Sequence, residues 1–254
     1  MIQDHLSVIE KIQKDEQETL ASIKEGCAEP ELLRLKLAEE MLNQASEYIQ
    51  IDAVSQATLN KKNIDVLNEA RKSFNKCLTY LESVVTKLVD APFSEYEKEL
   101  NKISSFSPTN RYHLIKKMVL VMELLKNAYA GNPKWKWTMV ELEGRSAVVA
   151  KNIINLREVP ANTDLRSPHY ESTAHHLSLA KKLLMDAADY YRKKYEAYSN
   201  SIEDFKMATN LLTSLVRFNI ITGDQENATL IKKKLIVWNN KLNMDIKNMQ
   251  LKKK

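Results

Sequence analysis

The chain has 254 residues, with 38 Lys and Arg against 33 Asp and Glu, and a formal net charge of +5 at pH 7. This length can bury one large core or two ordinary ones. Mixing of both charge signs along the chain disfavours nucleic-acid binding, which usually concentrates basic residues on one face. Only four glycines are present, none in a phosphate-binding or nucleophile-turn motif, which argues against the enzyme classes that need such turns.

The first predicted elements are long helices. Apolar residues recur every three or four positions through residues 2–24, which predicts an amphipathic helix that ends at Gly26. Pro30 suits the first turn of the next helix, and no glycine or further proline follows before residue 90. The polar segment 56–63 is the expected bend between two long helices. A single rod of about 90 Å, at 1.5 Å per residue, is the alternative.

A second series of helices follows Pro92. A short helix is expected at 94–103, and the loop 105–110 around Pro108 suits a domain boundary. We therefore predict a long-helix section at residues 1–92 and a helical-hairpin bundle at 93–254. The later helices are expected at 111–130, before Gly131-Asn132-Pro133, and then at 135–156, 170–198, 203–221 and 225–251.

The predicted fold class is all-α. It is elongated, with long N-terminal helices followed by a C-terminal helical-hairpin, repeat-like bundle, because short turns between successive helices favour antiparallel neighbours. No run of alternating apolar residues is bounded by turn signals, so no sheet is expected. No apolar stretch reaches the ~18 residues that cross a bilayer, and residues 1–5 lack the character of a signal peptide. A leader removed beforehand would leave the same pattern.

One histidine cluster is the only candidate for metal chemistry. Glu171 and His175 lie one helical turn apart, with His169 and His176 nearby. Two ligands on one helix face do not complete a site, and such pairs are usually surface neighbours. We predict no metal, no cofactor and no catalytic residues, and hence no enzyme. Metal analysis would decide the remaining enzyme hypothesis.

Two tryptophans stand out as candidates for partner binding. Trp135 and Trp137 flank Lys136 at the start of a predicted helix. Positions two apart point to different faces, so we expect at least one ring to be exposed. Exposed tryptophans are typical of interaction hot spots. Packing of both rings between helices is the alternative.

A tyrosine stripe is the second candidate. Tyr191, Tyr195 and Tyr198 follow one another at steps of four and three residues. This spacing is what a helix needs to pack against the core. The alternative is a groove, lined by the three tyrosines, that binds a peptide or helix of a partner.

Basic clusters and cysteines leave further alternatives open. The basic residues concentrate late in the chain and form either solvated helix faces or a docking face for an acidic surface. They are Arg192 to Lys194, Lys232 to Lys234 and Lys252 to Lys254. Cys27 and Cys77 are expected to be buried thiols, or a disulfide if the protein is exported.

Residues 212–235 resemble part of a tetratricopeptide repeat. Leu212 and Leu215 match large apolar positions of the first helix, Gly223-Asp224 the turn, and Ala228 the small residue of the second helix. Three positions depart from the repeat pattern: Val216, Asn219 and Lys232. The resemblance implies a helical hairpin and adaptor-like use, with no peptide-clamp residues.

The chain as a whole resembles the flagellar coiling and sheath proteins of spirochaetes. The resemblance lies in the Lys-, Asn- and Ile-rich helical composition, the long first section, and the segment 167–198 followed by a repeat-like hairpin. It implies an exported, periplasmic protein that coats the flagellar filament. The leading hypothesis is therefore a non-enzymatic structural or scaffold protein whose partners are filament or scaffold proteins. A cytoplasmic repeat-type adaptor is the alternative, and the sequence leaves the oligomeric state open.

Overall fold

The structure is a computed structural model that describes residues 2–130 and 133–252. Within them the chain forms ten α-helices and one π-helical turn and no strand, so the all-α prediction is confirmed. The helix stop predicted at Gly131-Asn132 lies outside the described residues. The helices are α1 (Ile2–Lys24), α2 (Pro30–Leu59), α3 (Ile64–Val84), α4 (Phe93–Lys102), α5 (Pro108–Ala128), α6 (Pro133–Asn152), α7 (Val159–Asn162), α8 (Tyr170–Lys194), α9 (Ile202–Ile221) and α10 (Gln225–Lys252), with the π-helical turn at Tyr195–Ser199.

Prolines and polar caps set several of the helix starts. α2, α5 and α6 all begin at a proline, whose missing N–H costs nothing in a first turn. The Ser107 hydroxyl caps α5 by accepting a hydrogen bond from the Asn110 N–H at 3.2 Å. Such a cap satisfies a backbone donor that has no partner within the helix.

The predicted bend after α2 is a true helix break. Asn60 takes the left-handed conformation at φ 48°, which asparagine tolerates better than most residues. The Asp52 carboxylate accepts a hydrogen bond from the Asn63 N–H at 2.6 Å and thereby fixes the entry into α3. The prediction of two helices is confirmed, and the single-rod alternative is wrong.

The first of two compact units contains residues 1–87 and 96–139. In it α2 packs against α1, α3 and α5, and α3 also packs against α5. The facing sides of α2 and α3 carry fully buried side chains at helical spacing, each stabilising the fold by roughly 1.5–3 kcal/mol for the larger apolar residues. These include Met41, Leu42, Ala45, Leu67, Phe74, Leu78 and Leu81.

The second unit contains residues 88–95 and those from Val140 onward. α9 packs against both α8 and α10, and α7 packs against α8. This grouping differs from the predicted division at residue 92. α5 lies against α2 and α3, so residues 96–139 belong with the N-terminal helices. The boundary between the two units lies within α6, between Met139 and Val140.

None of the helices in the described residues combines the length and apolar character needed to cross a lipid bilayer.

Candidate functional site

Trp135 lies in the first unit, on the first turn of α6. Its ring centroid is 4.8 Å from that of Tyr129, and the guanidinium carbon of Arg71 is 5.7 Å from the Trp135 ring. The Tyr129 hydroxyl donates a hydrogen bond to Asn68 at 3.2 Å. Trp135 as a whole is half-buried, and its ring packs against Arg71 of α3 and Tyr129 at the end of α5.

Trp137 follows on the same turn and is also half-buried. The ammonium nitrogen of Lys136, an exposed residue, is 4.9 Å from the ring centroid. A cation at this distance from an indole face is attracted to it. Both tryptophans therefore keep part of their surface in water. The prediction that they anchor a partner stays a prediction.

The tyrosine stripe is mostly core. Tyr191 and Tyr195 are each 7% exposed, whereas Tyr198 is 65% exposed. The Tyr195 hydroxyl donates a hydrogen bond to Asp245 of α10 at 2.7 Å, and its ring stacks on Phe205 at 4.8 Å. The predicted groove lined by all three tyrosines is not present, because two of the rings are used in packing between helices.

Gly144 of α6 leaves room for the ring of Tyr191 of α8. A Cβ at this position would lie 2.6 Å from Cε2 of Tyr191, far inside normal contact, so a larger residue would force the ring to shift. Burial raises the pKa of Tyr191 to about 12. Both observations place this tyrosine in the core of the second unit.

The second unit also contains an aromatic and cationic stack that the sequence analysis missed. The guanidinium carbon of Arg192 lies 4.5 Å from the ring of Phe205 and 5.0 Å from that of Trp238. Lys234 lies 4.7 Å from the Trp238 ring and donates a hydrogen bond to Asp189 at 2.6 Å. Trp238 is only 9% exposed.

Part of the basic cluster Arg192 to Lys194 is therefore used within the chain. Arg192 also donates to Glu196 at 2.7 Å, and Lys194 donates to Asp204 at 2.9 Å. Neither cation is left on an open face for an acidic partner. The sequence contains the two aromatic residues, Phe205 and Trp238, whose rings contact Arg192, but it does not show that they lie beside it.

A buried lysine fixes the segment 88–95 within the second unit. Lys151 donates hydrogen bonds to the Val89 carbonyl and to the Ser214 hydroxyl, each at 2.9 Å. Burial lowers its pKa from 10.5 to about 8, with Asp90 opposing and Arg217 adding to the shift. The only sequence signal was a lysine inside an apolar run of α6.

The histidine cluster is divided between the core and the surface around the start of α8. His176 is buried, and its Nε2 lies 2.9 Å from the Ala150 carbonyl oxygen, to which it donates. His175 is exposed, and His169 is the residue that precedes α8. Among residues 2–130 and 133–252, no three His, Cys, Asp or Glu side chains are grouped so that they could hold a metal ion.

Cys27 and Cys77 are not joined by a disulfide. Cys77 is buried as expected, whereas Cys27 is only half-buried. The predicted helical hairpin is formed by α9 and α10 with Gly223 in the left-handed region at φ 79°. Its relation to tetratricopeptide repeats stays a prediction.

The described residues thus define an all-α protein of packed helices in two units. The sequence profile of the TP0443 family matches residues 1–246. The chain belongs to this family, which is named for a spirochaete protein, and this membership supports a protein of spirochaete type.

Comparison with curated proteins gives no match. A solved structure titled "DHF58 filament" is similar over 96% of this chain and 97% of that chain, with 15% sequence identity and a TM-score of 0.45. A likeness of this size carries no information about function.

Proposed function

We propose that the protein is a non-enzymatic structural protein that docks on other proteins through the start of α6. The observation that carries the proposal is that Trp135 and Trp137 are both only half-buried on a single helical turn. Tryptophan is the residue type most enriched where truncation costs the most binding energy. Lys136 adds a cation beside one ring, which suits a partner with apolar and acidic groups.

The finer form of this proposal is that the partner is a periplasmic flagellar filament, which the protein coats. Family membership of spirochaete type supports it, together with the resemblance of the chain to flagellar coiling and sheath proteins. The periplasm is then the proposed location.

Sedimentation with purified periplasmic flagellar filaments tests the finer form. The full-length protein should sediment with the filaments, and Trp137→Ala should weaken binding by on the order of 2 kcal/mol, about 30-fold in the dissociation constant. Leu120→Ala, which truncates another exposed apolar residue of the first unit, is the matched control and should bind like the wild type.

The outcomes separate the two forms of the proposal. Filament binding that Trp137→Ala leaves unchanged contradicts the docking role of α6. If filaments do not bind, chemical cross-linking in cells tests the broader form, because a cross-linked partner complex should still be lost in the Trp137→Ala variant. If Trp137→Ala reduces neither filament binding nor the cross-linked complex, the proposal is wrong.

A further inference from the structure

α10 carries apolar side chains on two opposite faces. One face packs inside the second unit, since α10 lies against α9. The buried residues on this face recur at helical spacing: Ala228, Ile231, Trp238 and Leu242. A helix that only covered the core would be polar on the other side.

The outward face carries a second apolar set, which we call the α10 line. Its four members are spaced seven residues apart, and each is more than half exposed: Leu230, Val237, Met244 and Leu251. Seven residues rotate an α-helix by two turns less about 20°, so these side chains form one nearly straight row. From first to last the row is about 32 Å long at 1.5 Å per residue.

The regular spacing separates the α10 line from ordinary exposed apolar residues. Single exposed leucines and methionines are common on protein surfaces and need no explanation. A repeat of exactly one large apolar residue per heptad along four positions is instead the arrangement of one column of a coiled-coil seam. Such a row becomes buried when a second helix lies along it.

The flanks of the line are basic and amide side chains. On a helical wheel, the positions on either side of a heptad column are three and four residues further on. In α10 these positions hold no acidic residue between the ends of the line. They are Lys233, Asn240 and Lys247 on one side and Lys234, Lys241 and Asn248 on the other.

The two flanks differ in how their charge is used. Lys234 pairs with Asp189 and Lys241 pairs with Asp245, each at 2.6 Å. Lys233 and Lys247 are exposed and make no ion pair within the part of the chain that the structure describes. One side of the line therefore presents positive charge that only another molecule can pair.

These charges decide which helix fits the line. A second copy of α10 would bring lysines against lysines, which is unfavourable at the flanks of a coiled coil. We propose that the α10 line binds an amphipathic helix of another protein whose apolar heptad column is flanked by Asp or Glu. This inference rests on the proposed docking function and adds to it a second surface and the chemistry of the partner helix.

A designed helical peptide tests the inference with the full-length protein. The acidic peptide has about four heptads with Leu in one column and Glu at the flanking positions, and a second peptide replaces every Glu by Lys. Fluorescence anisotropy of the labelled peptides measures binding. The acidic peptide should bind at least about 10-fold more tightly than the basic one, and added salt should weaken it.

Two variants separate the apolar and the charged parts of the surface. Val237→Ser with Met244→Ser should weaken binding of the acidic peptide by about 10-fold or more, because the apolar row is shortened to its ends. Both residues are exposed, so the melting temperature should not change. Lys233→Glu with Lys247→Glu should reverse the preference between the peptides.

The matched control changes the same number of charges elsewhere in the second unit. Lys182→Glu with Lys232→Glu alters exposed lysines that do not flank the line and should leave the preference for the acidic peptide unchanged. Equal binding of both peptides, no binding of either, or no effect of the serine variant would overturn the inference. Self-association that the serine variant abolishes would also overturn it, with a second copy as the occupant.

Failure here is distinguishable from failure of the proposed function. Filament or partner binding that still depends on Trp137 leaves the docking role of α6 intact when the peptides do not bind. Peptide binding with the expected charge preference leaves the α10 line intact when Trp137→Ala has no effect.

Discussion

Both the start of α6 and the packing of α8, α9 and α10 place a cation near a tryptophan ring. At Trp137 the cation is exposed Lys136 of the same helix. At Trp238 the cations are Arg192 of α8 and Lys234 of α10, and the ring is buried. The same two residue types, a cation and a tryptophan, therefore form a buried contact at Trp238 and a partly exposed contact at Trp137. Exposure of the ring, more than the presence of the cation, distinguishes a docking candidate from core packing.

The largest expected effect distinguishes Trp238 from Trp137 by the cost of truncating each side chain. Trp238→Ala should lower the free energy of unfolding by about 3–5 kcal/mol, as removal of a buried large aromatic does. Trp137→Ala should lower it by about 1 kcal/mol or less, because its ring is partly solvated already. Urea denaturation of the two variants measures both values. Equal large losses would mean that Trp137 is a core residue too.

The burial of Lys151 predicts a pH dependence of the free energy of unfolding. The folded pKa of Lys151 is about 8 and its ordinary value is 10.5, so between these values the unfolded chain binds more protons. Lys151 therefore contributes a rise in the free energy of unfolding of about 1.4 kcal/mol per pH unit in this window, and nothing to the slope below it. Lys151→Met should remove that slope.

Urea titrations of wild type and variant from pH 7 to pH 10 measure the difference. Lys232→Met, at an exposed position of α10, is the control and should keep the wild-type slope. A wild-type slope that survives in Lys151→Met would show that other groups cause it.

A smaller effect is expected within the tyrosine stripe. Tyr195→Phe removes the hydrogen bond to the Asp245 carboxylate and should cost about 1.5 kcal/mol, the size for a bond to a charged group. Tyr198→Phe alters a residue that is 65% exposed and should cost about 0.5 kcal/mol or less. Thermal melts of both variants check this pair. Similar losses would contradict the division of the stripe into buried and exposed members.

The sequence predicted helix positions well because the signals for helix ends are local. Pro30 begins a helix as predicted, and Gly26 and Gly223 follow helix ends with positive φ, whereas Pro108, which was expected within a loop, begins α5. Each of these residues acts through its own backbone geometry. No knowledge of distant residues is needed to interpret them.

The candidate site was harder to predict because it depends on which faces meet. The spacing of Tyr191 and Tyr195 favours a core but also fits a groove, and the burial of Tyr191 against Gly144 decides for the core at that residue. In the same way Arg192 looks solvated until Trp238, 46 residues further on, is found beside it. Periodicity identifies a buried face but not its partner.

The π-helical turn at Tyr195–Ser199 has a consequence for residue counting along the chain. The Asn200 N–H bonds to the Tyr195 carbonyl five residues earlier, at 3.0 Å, so this turn holds one residue more than an α-helical one. Each residue of an α-helix accounts for about 100° of rotation. Deleting a single residue from this turn would leave the residue count of an ordinary α-helical turn, whereas deleting one from the regular part of α8 would rotate every later residue by about that angle. The π-helical turn is therefore the place at the end of α8 where the loss of one residue should disturb the packing of α8 against α9 least.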